Sequence, residues 1–200
     1  MTTALANKRK SADSLNGPVP SKLAHVVLRS PRFKEMVDWY KFVLAASASY
    51  ENDGLAFLTY DEEHHRIAVM NMPHLAGRTT GTAGMDHMAF SYDSLADLVA
   101  HYRRLKAAGI MPFWAINHGP TTSLYYRDPD ENQLEFQVEN FETLAESNAF
   151  FSSAEFAQNP IGTEYDIEDI GRRLAAGESE ADLKRRPSIG PRGLEGIPLR

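Results

Sequence analysis

Asn117-His118-Gly119-Pro120-Thr121-Thr122-Ser123-Leu124-Tyr125-Tyr126-Arg127-Asp128-Pro129-Asp130-Glu131-Asn132-Gln133-Leu134-Glu135-Phe136 is the stretch on which the fold turns. Ser123 to Arg127 mixes hydroxyl, apolar and aromatic side chains and predicts a strand. Asp128 to Asn132 predicts a turn, because Pro presets one dihedral while Asp and Asn tolerate turn geometry. From Gln133 to Glu139 the pattern alternates. That predicts a second strand with Leu134, Phe136 and Val138 on one face and Gln133, Glu135 and Gln137 on the other. Glu135 is therefore a carboxylate in the middle of a half-buried strand. Such a group needs a cation, a metal or water, because burying it alone is costly.

The rest of the chain repeats itself around this hairpin. Residues 22–30 read as a strand carrying His25, residues 31–46 as a helix with Phe33, Met36, Val37, Tyr40, Val43 and Leu44 at helical spacing, and 47–51, 55–60 and 66–72 as strands. Asn52-Asp53-Gly54 is a hairpin turn. After a Gly- and Thr-rich linker at 73–84 the pattern restarts: a strand at 85–92 carrying His87, a helix at 95–108 ended by Gly109, then strands at 111–117, 123–127 and 133–139. His25 to His87, Val37 to Val99 and Tyr40 to Tyr102 are each separated by 62 positions. The expected fold is α+β, with paired strand-helix-strand-strand-strand modules at 22–73 and 85–140, packed side by side around a shared cleft. Residues 1–21 read as a loose arm. Residues 141–200 have no counterpart in the repeat. There, 143–157 and 167–176 look helical, and the tail from Lys184 is expected to wrap the body or a partner subunit of a homo-oligomer, burying Ile189, Leu194, Ile197 and Leu199.

Composition narrows the function. The net charge of −6 argues against a general nucleic-acid binder, and no apolar run approaches the ~20 residues of a membrane span. The first residues carry charge without an apolar stretch after it, so no secretory signal is read. Cysteine is absent, which fits a reducing cytoplasmic setting and leaves His and carboxylates as metal donors.

His25 and His87 head equivalent strands, and Glu135 lies on the last strand of the second module. Imidazole plus carboxylate suits Fe(II), Mn(II), Zn(II) or Ni(II), and a three-ligand centre leaves positions open for substrate and O2. The 62-residue offset matches Glu135 with Pro73, in a run, 66–76, that contains no Asp or Glu. A fourth ligand from that strand is not expected, although His74 lies close by.

These residues resemble the vicinal oxygen chelate superfamily and, within it, the type I extradiol ring-cleavage dioxygenases in a short form with one pair of modules, over about residues 22–139. The resemblance implies an Fe(II) centre, with Mn(II) as the alternative, held by His25, His87 and Glu135. It implies a catechol-type aromatic substrate cleaved with O2. Glu63-His64-His65-Arg66-Ile67-Ala68 is similar to the family's paired-His strand start, which gives His65 the acid–base role near O2 and leaves His64 as a solvated turn residue. His118 resembles the histidine facing the substrate hydroxyl, and Tyr125 the tyrosine that hydrogen-bonds the substrate oxygen. The family often has Gly where Glu131 stands, so Asn132 is expected to take the left-handed turn position. The long tail also departs from the family pattern. The rival readings are a non-oxidative lyase or isomerase of the glyoxalase type and a metal-free binding protein. Tyr126 and Trp39 read as packing, one of Phe113 and Trp114 as lining the cleft, and His101 and Lys184-Arg185-Arg186 as solvated.

Overall fold

A computed structural model describes residues 18–79 and 81–198. The first module runs β1 (Val26–Ser30), α1 (Phe33–Val43), β2 (Ser47–Glu51), β3 (Leu55–Thr59) and β4 (Ile67–Asn71). Its sheet has the order β1-β4-β3-β2, with β1 parallel to β4. The second module repeats the plan: β5 (His87–Tyr92), α2 (Leu95–Ala107), β6 (Trp114–Asn117), β7 (Thr121–Arg127) and β8 (Gln133–Glu139), in the order β5-β8-β7-β6, with β5 parallel to β8. The helices form where the apolar spacing predicts. Met36, Val37, Tyr40 and Val43 are the buried face of α1. The Ser94 hydroxyl caps α2 by accepting from the Asp97 amide. Past their C-caps the two helices stop differently: Gly109 takes φ +78 after α2, whereas Ala45 takes φ +50 after α1.

Strand register corrects one expectation from the repeat. Val27 pairs with Ala68 as Ala89 pairs with Glu135, so the counterpart of Glu135 is Ala68 and not Pro73. The second module has a longer path from helix to last strand, which breaks the constant offset there. The conclusion is unchanged, because Ala68 offers no donor. The turn before β8 also differs from expectation. Glu131, not Asn132, takes the left-handed conformation, at φ +69. Asn132 is held by Asp128, whose carboxylate accepts from its backbone N–H at 2.8 Å and from its side-chain amide at 2.7 Å.

One core joins the modules. Leu28, Leu58, Val69 and α1 on one side, and Met88, Leu124, Leu134, Phe136 and α2 on the other, belong to a single buried cluster. Tyr40 donates to Asp128 across the junction at 2.9 Å, and Arg104 caps the end of α1 through the Phe42 and Val43 carbonyls. His101 lies in this core at 4% exposure, against the sequence expectation. Its Nδ1 is 2.8 Å from the Tyr92 hydroxyl and its ring packs on Phe136 at 4.2 Å. Tyr126 is fully buried and Trp39 packs edge-on against Tyr40, both as read from the sequence.

The C-terminal extension is a working part of the second module. The single helix expected at 143–157 is two, α3 (Leu144–Phe151) and α4 (Ala154–Gln158), because the Ser153 hydroxyl starts a new cap on the Phe156 amide. β9 (Thr163–Glu164) adds a fifth, antiparallel strand beside β6. α5 (Ile167–Ala175) packs on α2, and α6 (Glu180–Leu183) places the Glu180 carboxylate on the Leu95 and Ala96 amides at the start of α2. Arg186 is not solvated: its side chain is 4% exposed, pairs with Glu155 at 2.9 Å and donates to the carbonyls of Asn159 and His118. Ile197 packs against the second sheet, whereas Ile189 and Leu194 stay exposed; Leu199 lies outside the described residues, as does most of the expected N-terminal arm.

Candidate metal and substrate site

The face of the second sheet turned away from the core carries the site. A row of paired residues crosses it: Ala89, Glu135, Tyr125 and Trp114. His87, at the head of β5, sets its Nε2 3.0 Å from Glu135 Oε2. Its Nδ1 lies 2.7 Å from Asp86 Oδ2, so both ring nitrogens face carboxylate oxygens. The hydrogen bond to Glu135, opposed by burial and reinforced by Asp86, raises the His87 pKa to about 9. Glu135 is 5% exposed. Burial alone would raise its pKa, but hydrogen bonds from His87 and Ser123 outweigh burial and hold it below the usual carboxylate range.

His118 and Tyr125 form the second pair. The β6–β7 turn carries His118, and Gly119 at φ +104 turns the chain where a side chain would strike Phe150. His118 Nδ1 bonds the Ile161 carbonyl, and its Nε2 lies 3.0 Å from the Tyr125 hydroxyl. A carbonyl only accepts, so Nδ1 carries the proton and Nε2 accepts from Tyr125. Gly162 permits the approach of Ile161, since a Cβ there would lie 2.3 Å from the Asn117 carbonyl oxygen. Burial pushes the His118 pKa down, and burial together with the Glu135 charge pushes Tyr125 up. The neutral imidazole and the neutral phenol are thereby the resting forms.

A cavity of about 150 Å³ opens beside these groups, lined by His87, His118, Tyr125, Trp114, Ile161 and Ile197 among others. It is walled by the second module and the extension alone, not by both modules as expected. Arg192 ties the wall down. It donates to Glu164 at 2.8 Å and to the Gly196 carbonyl at 2.8 Å, while Glu164 also accepts from the Trp114 indole at 2.9 Å.

A family model described as Glyoxalase/Bleomycin resistance protein/Dioxygenase superfamily matches residues 22–136. The chain belongs to this superfamily. It is 48% identical over 157 residues to "Biphenyl-2,3-diol 1,2-dioxygenase 2" of Rhodococcus globerulus, covering 78% of this chain and 83% of the relative. It is 41% identical over 170 residues to "Biphenyl-2,3-diol 1,2-dioxygenase 3" of the same organism, covering 84% and 90%. A glyoxylase/bleomycin resistance protein/dioxygenase domain from Frankia sp. EAN1pec shares the fold at TM-score 0.52 and 21% identity, over 62% of this chain and 96% of that one.

In this member of the superfamily the structure brings together His87, Glu135, His118 and Tyr125. It does not bring His25 to them. His25 stands exposed just before β1, with its ring 4.3 Å from that of His65. His65 is buried, stacked on Phe57 at 4.5 Å, and its pKa is lowered by burial and then by the neighbouring His25 and His64. His64 is exposed. Among the described residues, no three His, Asp or Glu side chains gather closely enough to hold one ion. His87 and Glu135, an imidazole and a carboxylate 3.0 Å apart, are donor types that would hold a divalent metal ion in place of the hydrogen bond between them. Among the described residues no further side chain fills a third place. Sequence reasoning missed Asp86, Ile161 and Ile197. Asp86 was within reach, as a carboxylate directly before a strand histidine that can orient it. Ile161 reaches the site over a long sequence distance with no local signal, and the apolar tail pointed to burial of Ile197 but not to the surface that it covers.

Proposed function

We propose that this protein is an Fe(II)-dependent extradiol dioxygenase that opens the ring of a catechol with O2, with Mn(II) as the alternative ion. The observation that carries the reading is the placement of two pairs side by side on one sheet face: a carboxylate–imidazole pair, His87 and Glu135, and a phenol–imidazole pair, Tyr125 and His118, with His87, Tyr125 and His118 lining one small cavity. Its similarity to two biphenyl-2,3-diol 1,2-dioxygenases supports the same chemistry. In the overall change the ring C–C bond beside the diol breaks, the O–O bond breaks, and both oxygen atoms enter the ring-opened product.

The bound ion supplies acidification of the catechol hydroxyl and a site for O2. His118 Nε2, unprotonated and half-buried, takes the hydroxyl proton once substrate displaces the Tyr125 contact. Tyr125 then turns its O–H to the substrate oxygen and fixes the ring. Trp114, Ile161 and Ile197 pack on the ring and keep water out. His65, stacked on Phe57 on the other sheet, does not line this cavity and is given no step in it.

The test is anaerobic loading with Fe(II) followed by oxygen-electrode and absorbance assays over a catechol panel. The expected result is oxygen uptake matched to a yellow ring-opened product. Turnover of substrate without oxygen uptake would instead mark a non-oxidative metal enzyme, and an intact protein that takes up no divalent metal would end the reading.

A further inference from the structure

The protonation pattern of His118 is set from outside the repeated modules. Ile161, whose carbonyl accepts from His118 Nδ1, lies in the loop between α4 and β9, 43 positions further along the chain. Asn159 holds that loop. It is 4% exposed, and its Oδ1 accepts from the Ile161 amide at 3.2 Å and from the Gly162 amide at 2.7 Å, while its Nδ2 donates to the Gly162 carbonyl at 3.1 Å. These hydrogen bonds curl residues 159–162 into one closed turn. The Ile161 carbonyl leaves the turn toward His118. Gly162, at φ +122, lets the turn rest directly on the Asn117 carbonyl, next to His118 in sequence.

A buried cation ties this turn to the one that carries His118. The Arg186 nitrogen Nη1 donates to the Asn159 carbonyl at 2.9 Å and to the His118 carbonyl at 3.2 Å, so a single atom spans the two segments. Nε and Nη2 donate to Glu155 Oε1 at 3.1 and 2.9 Å, which supplies the countercharge and fixes the plane of the fork. The Phe150 ring packs against the guanidinium at 5.0 Å and also fills the space over Gly119. Asn159 and Arg186 both stand behind the cavity wall, which His118, Pro160 and Ile161 form there. A neutral imidazole released from the Ile161 carbonyl can carry its proton on either nitrogen. With the proton on Nε2 the ring would face Tyr125 and the cavity as a donor, with no lone pair there to accept a proton.

We infer that Asn159 and Arg186 are positioning residues of the reaction: they hold the Ile161 carbonyl on His118 Nδ1 and so keep Nε2, the nitrogen beside the Tyr125 hydroxyl, free to accept a proton. This rests on the base role given to His118 under Proposed function. The C-terminal extension thereby sets the tautomer of a side chain that the second module carries.

The test reads tautomer and kinetics separately. Heteronuclear NMR of the imidazole rings in the full-length chain, before iron is loaded and with His118→Gln to assign the signals, should show His118 protonated on Nδ1 and bare on Nε2. Asn159→Ala should move the ring to a mixture with the Nε2-protonated form and lower kcat about 10–100-fold, with KM and iron content near wild type. Asn159→Asp keeps the acceptor oxygen and should return the wild-type tautomer and most of the turnover. Arg186→Lys keeps the charge beside Glu155 but cannot fork between two carbonyls. It should show the same mixture, and it carries the test if Asn159→Ala does not fold. A wild-type ring protonated on Nε2, or the wild-type tautomer kept in the folded variants, would overturn the inference whatever their turnover. Wild type that takes up no divalent metal would instead end the dioxygenase reading, and the tautomer result would still decide the inference.

Discussion

Tyr125 and His118 stand 3.0 Å apart, the phenol donating and the imidazole accepting. The direction is set at the far side of the ring, where Ile161 leaves Nδ1 no choice but to donate. Tyr125→Phe removes the donor and the hydroxyl's contact with Glu135 while keeping the ring that packs edge-on against His87. The expected outcome is unchanged metal content with kcat down roughly 10–100-fold, and His118→Gln should cost about 10²–10⁴-fold, the usual range for a lost acid–base group. Steady-state kinetics beside metal analysis checks this. Wild-type kcat and KM in Tyr125→Phe would remove the phenol from the reaction.

Ile197 closes the cavity from the C-terminal extension. At about 150 Å³ the space is smaller than the roughly 300–1,000 Å³ that holds drug-sized ligands. Ile197→Ala should therefore favour catechols with a bulky ring substituent, raising their kcat/KM relative to catechol about 10-fold. Arg192→Ala frees the wall from Glu164 and Gly196 and should raise KM for every substrate. A substrate panel compared across the two variants separates the effects. Identical selectivity in Ile197→Ala would place the ring elsewhere.

His101 should shape stability against pH. Burial, then the Arg104 charge, lowers its pKa to about 3 from an ordinary 6.5. Between those values the unfolded chain binds a proton that the folded chain refuses. Stability is therefore lost as pH falls from about 6.5 toward 3, by up to about 1.4 kcal/mol per pH unit. From pH 7 to 5 the share due to His101 is about 1–2 kcal/mol. Denaturant unfolding of wild type and His101→Leu at both pH values isolates it, as the part of the acid loss that disappears in the variant. An equal loss in both proteins would show that His101 carries no such linkage.

Ala45 holds a left-handed conformation that the matching turn after α2 gives to Gly109. The position is exposed, so a glycine there loses no packing. Ala45→Gly should stabilise the protein by about 0.5–1 kcal/mol, the steric relief exceeding the added chain entropy. Thermal unfolding reads this as a rise in Tm; a fall would mean that the turn is not strained.

Local pattern carried most of this structure. The alternation in 133–139 places Glu135 on the face turned away from the core, and the spacing of His25 and His87 marks two modules. What local pattern could not show was which faces meet. That depends on the junction between Tyr40 and Asp128, 88 positions apart, and it separates His25 from Glu135. The wall made by Ile161 and Ile197 was hidden for the same reason. His101 was legible in principle, at helical spacing from Leu98 and Leu105 on the buried face, but Arg103 and Arg104 beside it suggested solvent. At Glu131 the misreading came from preference: Asn tolerates the left-handed region better, yet Asp128 had already claimed Asn132.

Ala68 stands in one copy of the motif where Glu135 stands in the other. A duplicated unit need keep an invention only once. The two halves, alike in backbone plan, therefore differ in acidity at this level, and only the one with Glu135 offers a carboxylate there.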